Sequence, residues 1–599
     1  MREQGIGKGI YELRKEAGYT QSQLAKGVCS VSELAKLESG EIMLNHLQID
    51  RLFSRLGKAP AKLIYLLPKE IYQIYAIRYH IQRCIAIKEL EQAETLLCKY
   101  ERMKRSEEPL NRQFIEMQRA QVSWIQGRMY EEIASLIGQA IRRTILEENA
   151  MKMGDALSSE ELNLLLFRWE VSKESDNPRP VGELKELLAY CERHCTDQEE
   201  LTKVYPYVAL LLAKYGECAV EESELRYILK KALELLREEG KVFFMPEVIE
   251  QYVRYAETTE KEEIQQLQSS RRALLEIGEM FHIDFVKLRL FEQVSREFEL
   301  DYEVIRKSRA AKKLSQEQVC EGICTRETLS RIERGKTSPT HKNLKKVLEV
   351  LHRDGERVNT VLLTEDYNIL EKKRELVKYV FQLEYDKAKE VVVELNRQLD
   401  QSIPKNRQYI LGERLRVEFH EGKISYEEGV KELYEILKLT LDVEEEEISE
   451  SFLSLYEVAL LNKIAILHYG HAAIDKAIEI YEKILNNWEN SILEEVFHMR
   501  SWELVVANLA SSFEMTKKPD ESLEVSKWRV KIALEIGRGI DMGRAFGTIA
   551  CALEQKQDIV CKKYFDWALD ILYLMKNYNR YQLIKEYMAK PNFLNWLES

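Results

Sequence analysis

Proline and glycine are scarce in this chain of 599 residues, at 11 and 25. With so few breakers, Pro-rich linkers and Gly-rich coils are excluded, and the abundance of Leu, Glu, Lys and Ala favours helix almost throughout. Long apolar runs are missing as well. The most apolar stretches, 207–213 and 458–467, are far shorter than the roughly 20 residues needed to cross a bilayer. The first residues, MREQGIGKGIYELRKEAG, hold no apolar signal core. The expected location is therefore the cytoplasm, with no membrane partner, where the ten Cys are expected to be reduced. A positive overall charge is also lacking. The net charge of −12 excludes a protein that coats nucleic acid with its whole surface, so any basic surface must be local. The patterns G-x-x-x-x-G-K-[ST], G-x-S-x-G and H-E-x-x-H do not occur. No enzyme activity and no cofactor are expected. The chain is too long for one core, so several domains are expected.

What the chain does contain, it contains twice. TQSQLAKGVCSVSELAKLESG (20–40) aligns without a gap on SQEQVCEGICTRETLSRIERG (315–335), at an offset of 295. Gln21/Gln316, Gln23/Gln318, Gly27/Gly322, Cys29/Cys324, Leu34/Leu329, Glu38/Glu333 and Gly40/Gly335 are identical pairs. The offset persists far outside this stretch: NRQFIEMQRAQ (111–121) faces NRQYILGERLR (406–416), Gly127 faces Gly422, and Ala273 faces Ala568. The chain reads as a tandem duplication, with small insertions expected to interrupt the register around 130–240.

Each copy opens on two short helices and a tight turn. In the second copy, Ser315 with Gln318 forms a capping box. Val319, Ile323, Leu329 and Ile332 supply inward faces, Thr325 caps the second helix, and Gly335 ends it. The outward face is Arg326, Glu327, Ser330, Arg331 and Arg334. Residues 301–355 hold 13 basic against 8 acidic residues, a local island of positive charge in an acidic chain. The first copy repeats the caps (Thr20 with Gln23, Ser30 with Glu33) but carries Val31, Ser32 and Lys36 where the second has Arg326, Glu327 and Arg331. This is the helix-turn-helix plan. Charge alone would suit a solvated helix face; charge with caps, apolar spacing and terminal Gly points to DNA.

Both copies resemble the Cro/C1-type helix-turn-helix family. That resemblance implies DNA contacts from Gln21, Val31, Ser32 and Lys36, and from Gln316, Arg326, Glu327 and Arg331. It also implies structural pairs Arg14 with Glu38 and Arg309 with Glu333. The interval from Leu24 to Glu38, and from Val319 to Glu333, is one residue shorter than the commonest family spacing. That spacing, the Cys before the cap and the E-S-G ending of the first copy are similar to the Rgg/PlcR-type peptide-sensing regulators, the RRNPP group.

More than 200 residues of helical pattern follow each helix-turn-helix. YEEGVKELYEILKL (426–439), AAIDKAIEIYEKIL (472–485), PDESLEVSKWRVKIALEIG (519–537) and CKKYFDWALDILYLM (561–575) resemble tetratricopeptide repeats, with Ala473, Ala477, Ala533 and Ala568 as small contact positions. Such pairs stack into a superhelix with a concave groove. The expected class is all-α, with helix-turn-helix domains at 1–66 and 298–364 and repeat domains at 67–297 and 365–599. The RRNPP resemblance implies a short signalling peptide gripped by Asn side chains on inner helices; a carboxamide both donates and accepts. Asn163, Asn462 and Asn508 are the candidates, against the plainer reading that an Asn in a helix bonds locally.

The remaining clusters have plainer readings. Cys191, His194 and Cys195 offer three ligands without a fourth, whereas structural zinc sites use four, so no metal is expected. His468 and His471 lack partners in the same way. Cys29 and Cys324 read as small buried hydrophobes, and DVEEEEISE (442–450) as a solvated segment between helices. The expected function is a transcription regulator sensing a short peptide. One chain would form a pseudo-dimer on double-stranded DNA with two half-sites, and could dimerise further. The rival readings are a protein-interaction scaffold with vestigial helix-turn-helix units, and a phage-type repressor without a peptide ligand.

Overall fold

The computed structural model describes residues 6–145, 154–216, 219–256, 261–285, 297–353, 358–359, 361–364, 366–441, 445–489, 491–590 and 593. No helix among them is long and apolar enough to cross a membrane. Among the described residues the fold is all-α apart from three short strands. The first helix-turn-helix domain is built from helices Ile6–Glu16, Gln21–Ala25, Val31–Glu38 and His46–Arg55; the second from Asp301–Ala311, Gln316–Cys320, Arg326–Glu333 and His341–Val350. Their starts are set by capping. Thr20, Ser30 and Ser315 each accept the backbone N–H three residues on, and the residue there returns the bond. Thr325 makes only the first of these bonds, to the N–H of Thr328. Gly40 and Gly335 follow the second helix with φ of 78° and 61°, a backbone setting that favours Gly.

Among the described residues each domain is followed by five helix pairs, the first array holding one further short helix, Gln198–Thr202. The first array runs from Lys69–Ala86 to Lys261–Met280, and the second from Tyr367–Phe381 to Cys561–Leu574. The second array adds a closing helix, Tyr578–Met588. The repeated N-R-Q triplet shows why buried polar residues recur in both. Gln113 Nε2 donates to Ala140 O (2.9 Å) and Thr144 Oγ1 (2.8 Å), joining the helices of its pair. Gln408 Nε2 makes the same bridge to Ile436 O (3.1 Å), Leu437 O (3.2 Å) and Thr440 Oγ1 (2.7 Å). Leaving either amide unpaired inside the pair would cost about 1–3 kcal/mol. Ala477, Ala533 and Ala568 are buried at contacts, whereas Ala473 is half-buried before its helix begins. The register shift also becomes visible: the caps pair Ser158 with Ser454, the left-handed turns pair Gly240 with Gly537, and Ala273 again pairs with Ala568.

The two copies face each other across a local two-fold relation. Strand β1 (Ile64–Leu67) lies between β2 (Glu297–Leu300), parallel to it, and β3 (Val358–Asn359), antiparallel to it. In the β1–β3 pair Ile64 meets Asn359, its own counterpart at offset 295. Lys241 bridges Arg538, again a counterpart pair by the Gly240/Gly537 turns. Further along, Lys261–Met280 crosses Cys561–Leu574 with opposite direction: Ser270 Oγ donates to Asp570 O (3.0 Å), and Trp567 Nε1 donates to Glu276 Oε2 (3.3 Å). Ala273 and Ala568 are both buried in these two crossing helices. Self-complementary contacts of this kind are those of an isologous dimer interface, here within one chain.

Three cores result. The largest runs through the first helix-turn-helix domain, the first array and the end of the second array. Another fills the opening repeats of the second array. The second helix-turn-helix domain keeps a small one of its own, from Val304, Val319, Leu329, Ile332 and Leu348, closed by Leu66 of β1.

Two expectations change. The acidic run is not simply solvated. Residues Glu445–Glu450 form a 3-10 helix in which Ile448 is buried and Glu447 pairs with Lys313 at 3.0 Å; residues 442–444 lie outside the described residues. Asn487 Nδ2 holds this segment through Ile448 O (3.1 Å) and Ser449 O (3.0 Å). Cys29 and Cys324 are half-buried rather than buried, because each sits at the turn where the domain surface begins.

Candidate DNA interface and ligand groove

The second helix of each helix-turn-helix motif is fixed from behind and free in front. Arg14 Nε donates to Glu38 Oε1 at 2.6 Å, and Arg309 Nε to Glu333 Oε1 at 2.5 Å. The same carboxylates accept from Gln21 Nε2 (2.8 Å) and Gln316 Nε2 (2.7 Å). Each Arg–Glu–Gln triad ties three helices together and presets the Gln at the start of the preceding helix. In front, Val31, Ser32 and Lys36 are exposed in the first copy, and Arg326, Glu327 and Arg331 in the second. Arg326 rests on Glu317 at 2.9 Å. Ser39 and Glu41 stand where the second copy exposes Arg334 and Lys336. The second face is thus strongly basic and the first close to neutral. Backbone N–H groups and basic side chains in this arrangement suit phosphate contacts, and an exposed Arg suits a guanine edge.

The two domains are seated differently. Arg55 is buried and donates to Glu161 through Nε (3.0 Å) and Nη2 (2.5 Å), and to Leu24 O (3.0 Å). Although burial pushes the Glu161 carboxyl up, Arg55 and Arg51 outweigh it and hold it at about 2. Lys26 pairs with Asp155 at 2.8 Å. Tyr19 Oη bonds His194 Nδ1 at 2.6 Å, and His194 stacks on Tyr190 with centroids 4.1 Å apart. The C-E-R-H-C segment is therefore the seat of the first domain, with Cys191 and Cys195 buried. Among the described residues the second domain is held by Arg353 to Glu457 (3.2 Å) and to Phe452 O (3.1 Å), Lys307 Nζ to Asn487 O (2.7 Å) and Lys313 to Glu447.

The concave side of the second array encloses a groove of about 800 Å³. Asn462 and Asn508 meet at its wall: Asn508 Nδ2 donates to Asn462 Oδ1 at 2.7 Å. Arg544 Nη2 donates to Asn508 Oδ1 (2.7 Å), Ser511 Oγ (3.2 Å) and Ala507 O (3.3 Å). Lys463, Arg416 and Arg580 complete the basic lining. The closing helix shuts one side, with Asn579 Nδ2 donating to Gln382 O at 2.9 Å across from the array's first pair. Asn163 is elsewhere. It is buried in Ser159–Val171, and its Nδ2 donates to Lys203 O at 2.9 Å. His468 and His471 serve packing around Tyr426, by a 2.7 Å bond and a stack at 4.0 Å. The sequence reading missed Arg544 and Arg580. The available signal was an Arg within GRAFGTIACAL, a run of small and apolar residues on an inner helix.

The profile of the helix-turn-helix family matches residues 10–63 and 305–357, so the chain carries two such domains. No curated relative matches the chain. Among solved structures, it is similar to Bacillus thuringiensis PlcR in complex with the peptide PapR7 and DNA, at 20% identity and a TM-score of 0.33, over 47% of this chain and 98% of that one. It is similar to ComR from S. thermophilus in complex with DNA and its signalling peptide ComS, at 16% identity and a TM-score of 0.31, over 48% and 97%. A third likeness, to the APC/C hetero-tetramer Cut9-Hcn1, spans 98% of this chain and 97% of that one at 12% identity and a TM-score of 0.26.

Proposed function

We propose that this chain is a sequence-specific DNA-binding transcription regulator that supplies both halves of a dimer by itself and answers to a short peptide. The observation that carries the reading is the presence of two helix-turn-helix domains in one chain, each with its second helix exposed, joined where β1 meets its own counterpart β3. Two such helices enter successive major grooves when their spacing matches one helical turn of DNA, roughly 34 Å, or a multiple of it. The groove of the second array, with the Asn462–Asn508 pair in its wall, supports the peptide part of the reading. A ligand there touches both ends of the array, the first pair and the closing helix, so it favours one curvature over another. The first pair also carries Arg374, which lies 3.5 Å from Asp197 of the first array, next to the bond by which Asp197 accepts from the N–H of Ala59. Groove closure thereby reaches the seat of the first domain. DNase footprinting of the full chain on a selected operator tests the pseudo-dimer. Protection of two half-sites at one chain per operator is the expected result. One half-site per chain would remove it.

A further inference from the structure

The two arrays are copies, yet their inner walls carry opposite electrostatics. Helices can be matched by their first residues: Ser454 with Ser158, His498 with Val204, and Met542 with Met245. This places Asn462 over Leu166, Asn508 over Lys214, and Arg544 over Glu247. In the first array Lys214 and Glu247 form an ion pair at 2.9 Å, so that wall neutralises itself. Leu166 is fully buried, and around it Phe167 packs edge-on against Trp124 and Tyr207 stacks on Phe244. Among the described residues this part of the first array's wall is packed by its own side chains.

In the second array the same position holds Asn508 and Arg544, and the ion pair is gone. The groove is lined by Arg416, Lys463, Arg544 and Arg580 against the single carboxylate of Glu514. Glu413, behind the wall, serves Lys463 at 2.8 Å and Arg416 at 3.5 Å. Asp541 is engaged by Arg538 at 3.5 Å and Arg529 at 3.7 Å. Among the described residues Arg544 bonds only neutral oxygens, and neither it nor Arg580 makes an ion pair. Burial lowers both guanidinium groups, Arg544 to about 9, with Arg580 itself adding to the effect on Arg544. Both guanidinium groups are half-buried and Asp541 offsets the lowering only in part, so an incoming anion adds counter-charge that the wall supplies incompletely.

We infer that the second array alone is the ligand-binding half, and that its ligand is a short peptide presenting a carboxylate to Arg544 and Arg580. This rests on the peptide-sensing reading above and adds the site count and the ligand's charge. The volume lies in the range of ligand sites and is too small for a folded partner. Asn462 and Asn508 offer donor and acceptor to the peptide backbone, while the two Arg select the charged end or an acidic side chain.

The test uses the full chain and four random-sequence pools of short synthetic peptides. The pools have free or amidated C-termini, each with or without Asp and Glu. Affinity selection with native mass spectrometry reads retention and stoichiometry. Retention of carboxylate-bearing pools about tenfold above the amidated pool lacking Asp and Glu is expected, at one peptide per chain. The free-acid pool without Asp or Glu separates a terminal carboxylate from a side-chain one. Arg544→Gln with Arg580→Gln should abolish the difference. Should that variant lose its helical circular dichroism, Arg580→Gln alone, on the closing helix, must reduce it. Equal retention of all pools, an unchanged preference in the variants, or two peptides per chain would overturn the inference while leaving peptide sensing in place. Retention of no pool would overturn both, with the footprint still reporting on DNA binding.

Discussion

The two helix-turn-helix domains have side-chain caps at the same places and the same Arg–Glu–Gln triads, yet one is built into the body of the protein and the other is perched on it. The glycines make the contrast concrete. Gly27 and Gly322 are counterparts with φ of 71° and 68°. A methyl group on Gly27 would lie 2.5 Å from Thr144 O, whereas one on Gly322 would meet nothing within 4 Å. Gly57 shows the same: its added carbon would lie 1.9 Å from His194 O, while its counterpart is His352, in the same left-handed region at φ 53°. The first domain shares the largest core, whereas the second contributes Tyr302 to it and keeps a small core that Leu66 closes. Charge follows the opposite order, with the perched domain presenting the basic face. The comparison teaches that two copies of one plan can diverge in seating and charge: the first is the anchor, and under the proposed function the second is the stronger reader.

The largest effect should come from the anchor. Arg55→Met leaves the buried Glu161 with Arg51 alone, 3.5 Å away, at a cost of up to about 3–5 kcal/mol. Urea unfolding of the full chain should show an early loss of the first domain. The Glu161 carboxyl is held at about 2 against an ordinary 4.5. A lowered value means stability that is complete above pH 4.5 and lost as pH falls from there towards 2. Arg55→Met should flatten this dependence, and an unchanged acid profile would contradict the assigned pair.

The reader comes next. Arg326→Ala with Arg331→Ala should weaken operator binding by at least about tenfold and relax sequence preference at one half-site, read by fluorescence anisotropy on operator variants. A loss equal on every sequence, with only a shallower salt dependence, would reduce these residues to phosphate contacts. Val31→Ala with Lys36→Ala in the anchor should change affinity by less than the reader pair. A larger effect would reverse the assignment of roles. The finest comparison is Gly27→Ala against Gly322→Ala. Both carry the left-handed penalty of about 1–2 kcal/mol, but only the first adds a clash with Thr144, about 1–3 kcal/mol more. Equal melting shifts would show that the first domain is not seated as described.

Much of this was legible from residues alone. The capping boxes, the terminal glycines and the offset of 295 are local or periodic signals, and local hydrogen bonds decide them. The Asn462–Asn508 pairing was half legible: each Asn stood out within an apolar helix, but their contact spans two repeats. Asn163 gave the same signal and proved to hold a backbone carbonyl instead. Arg544 was overlooked because one Arg among small residues says nothing until its neighbours are known to be neutral. The acidic run misled because Ile448, the one residue that buries it, is outnumbered by carboxylates.

The sequence by itself determined the helices, their ends, the two helix-turn-helix units and the repetition, because capping, apolar period and turn glycine act within a few residues. Only the tertiary structure decided which copy is embedded, which groove stays open and which of its cations, Arg544 and Arg580, form no ion pair among the described residues. Those outcomes depend on groups brought together from distant repeats, whose charges and volumes balance in the first array and do not in the second.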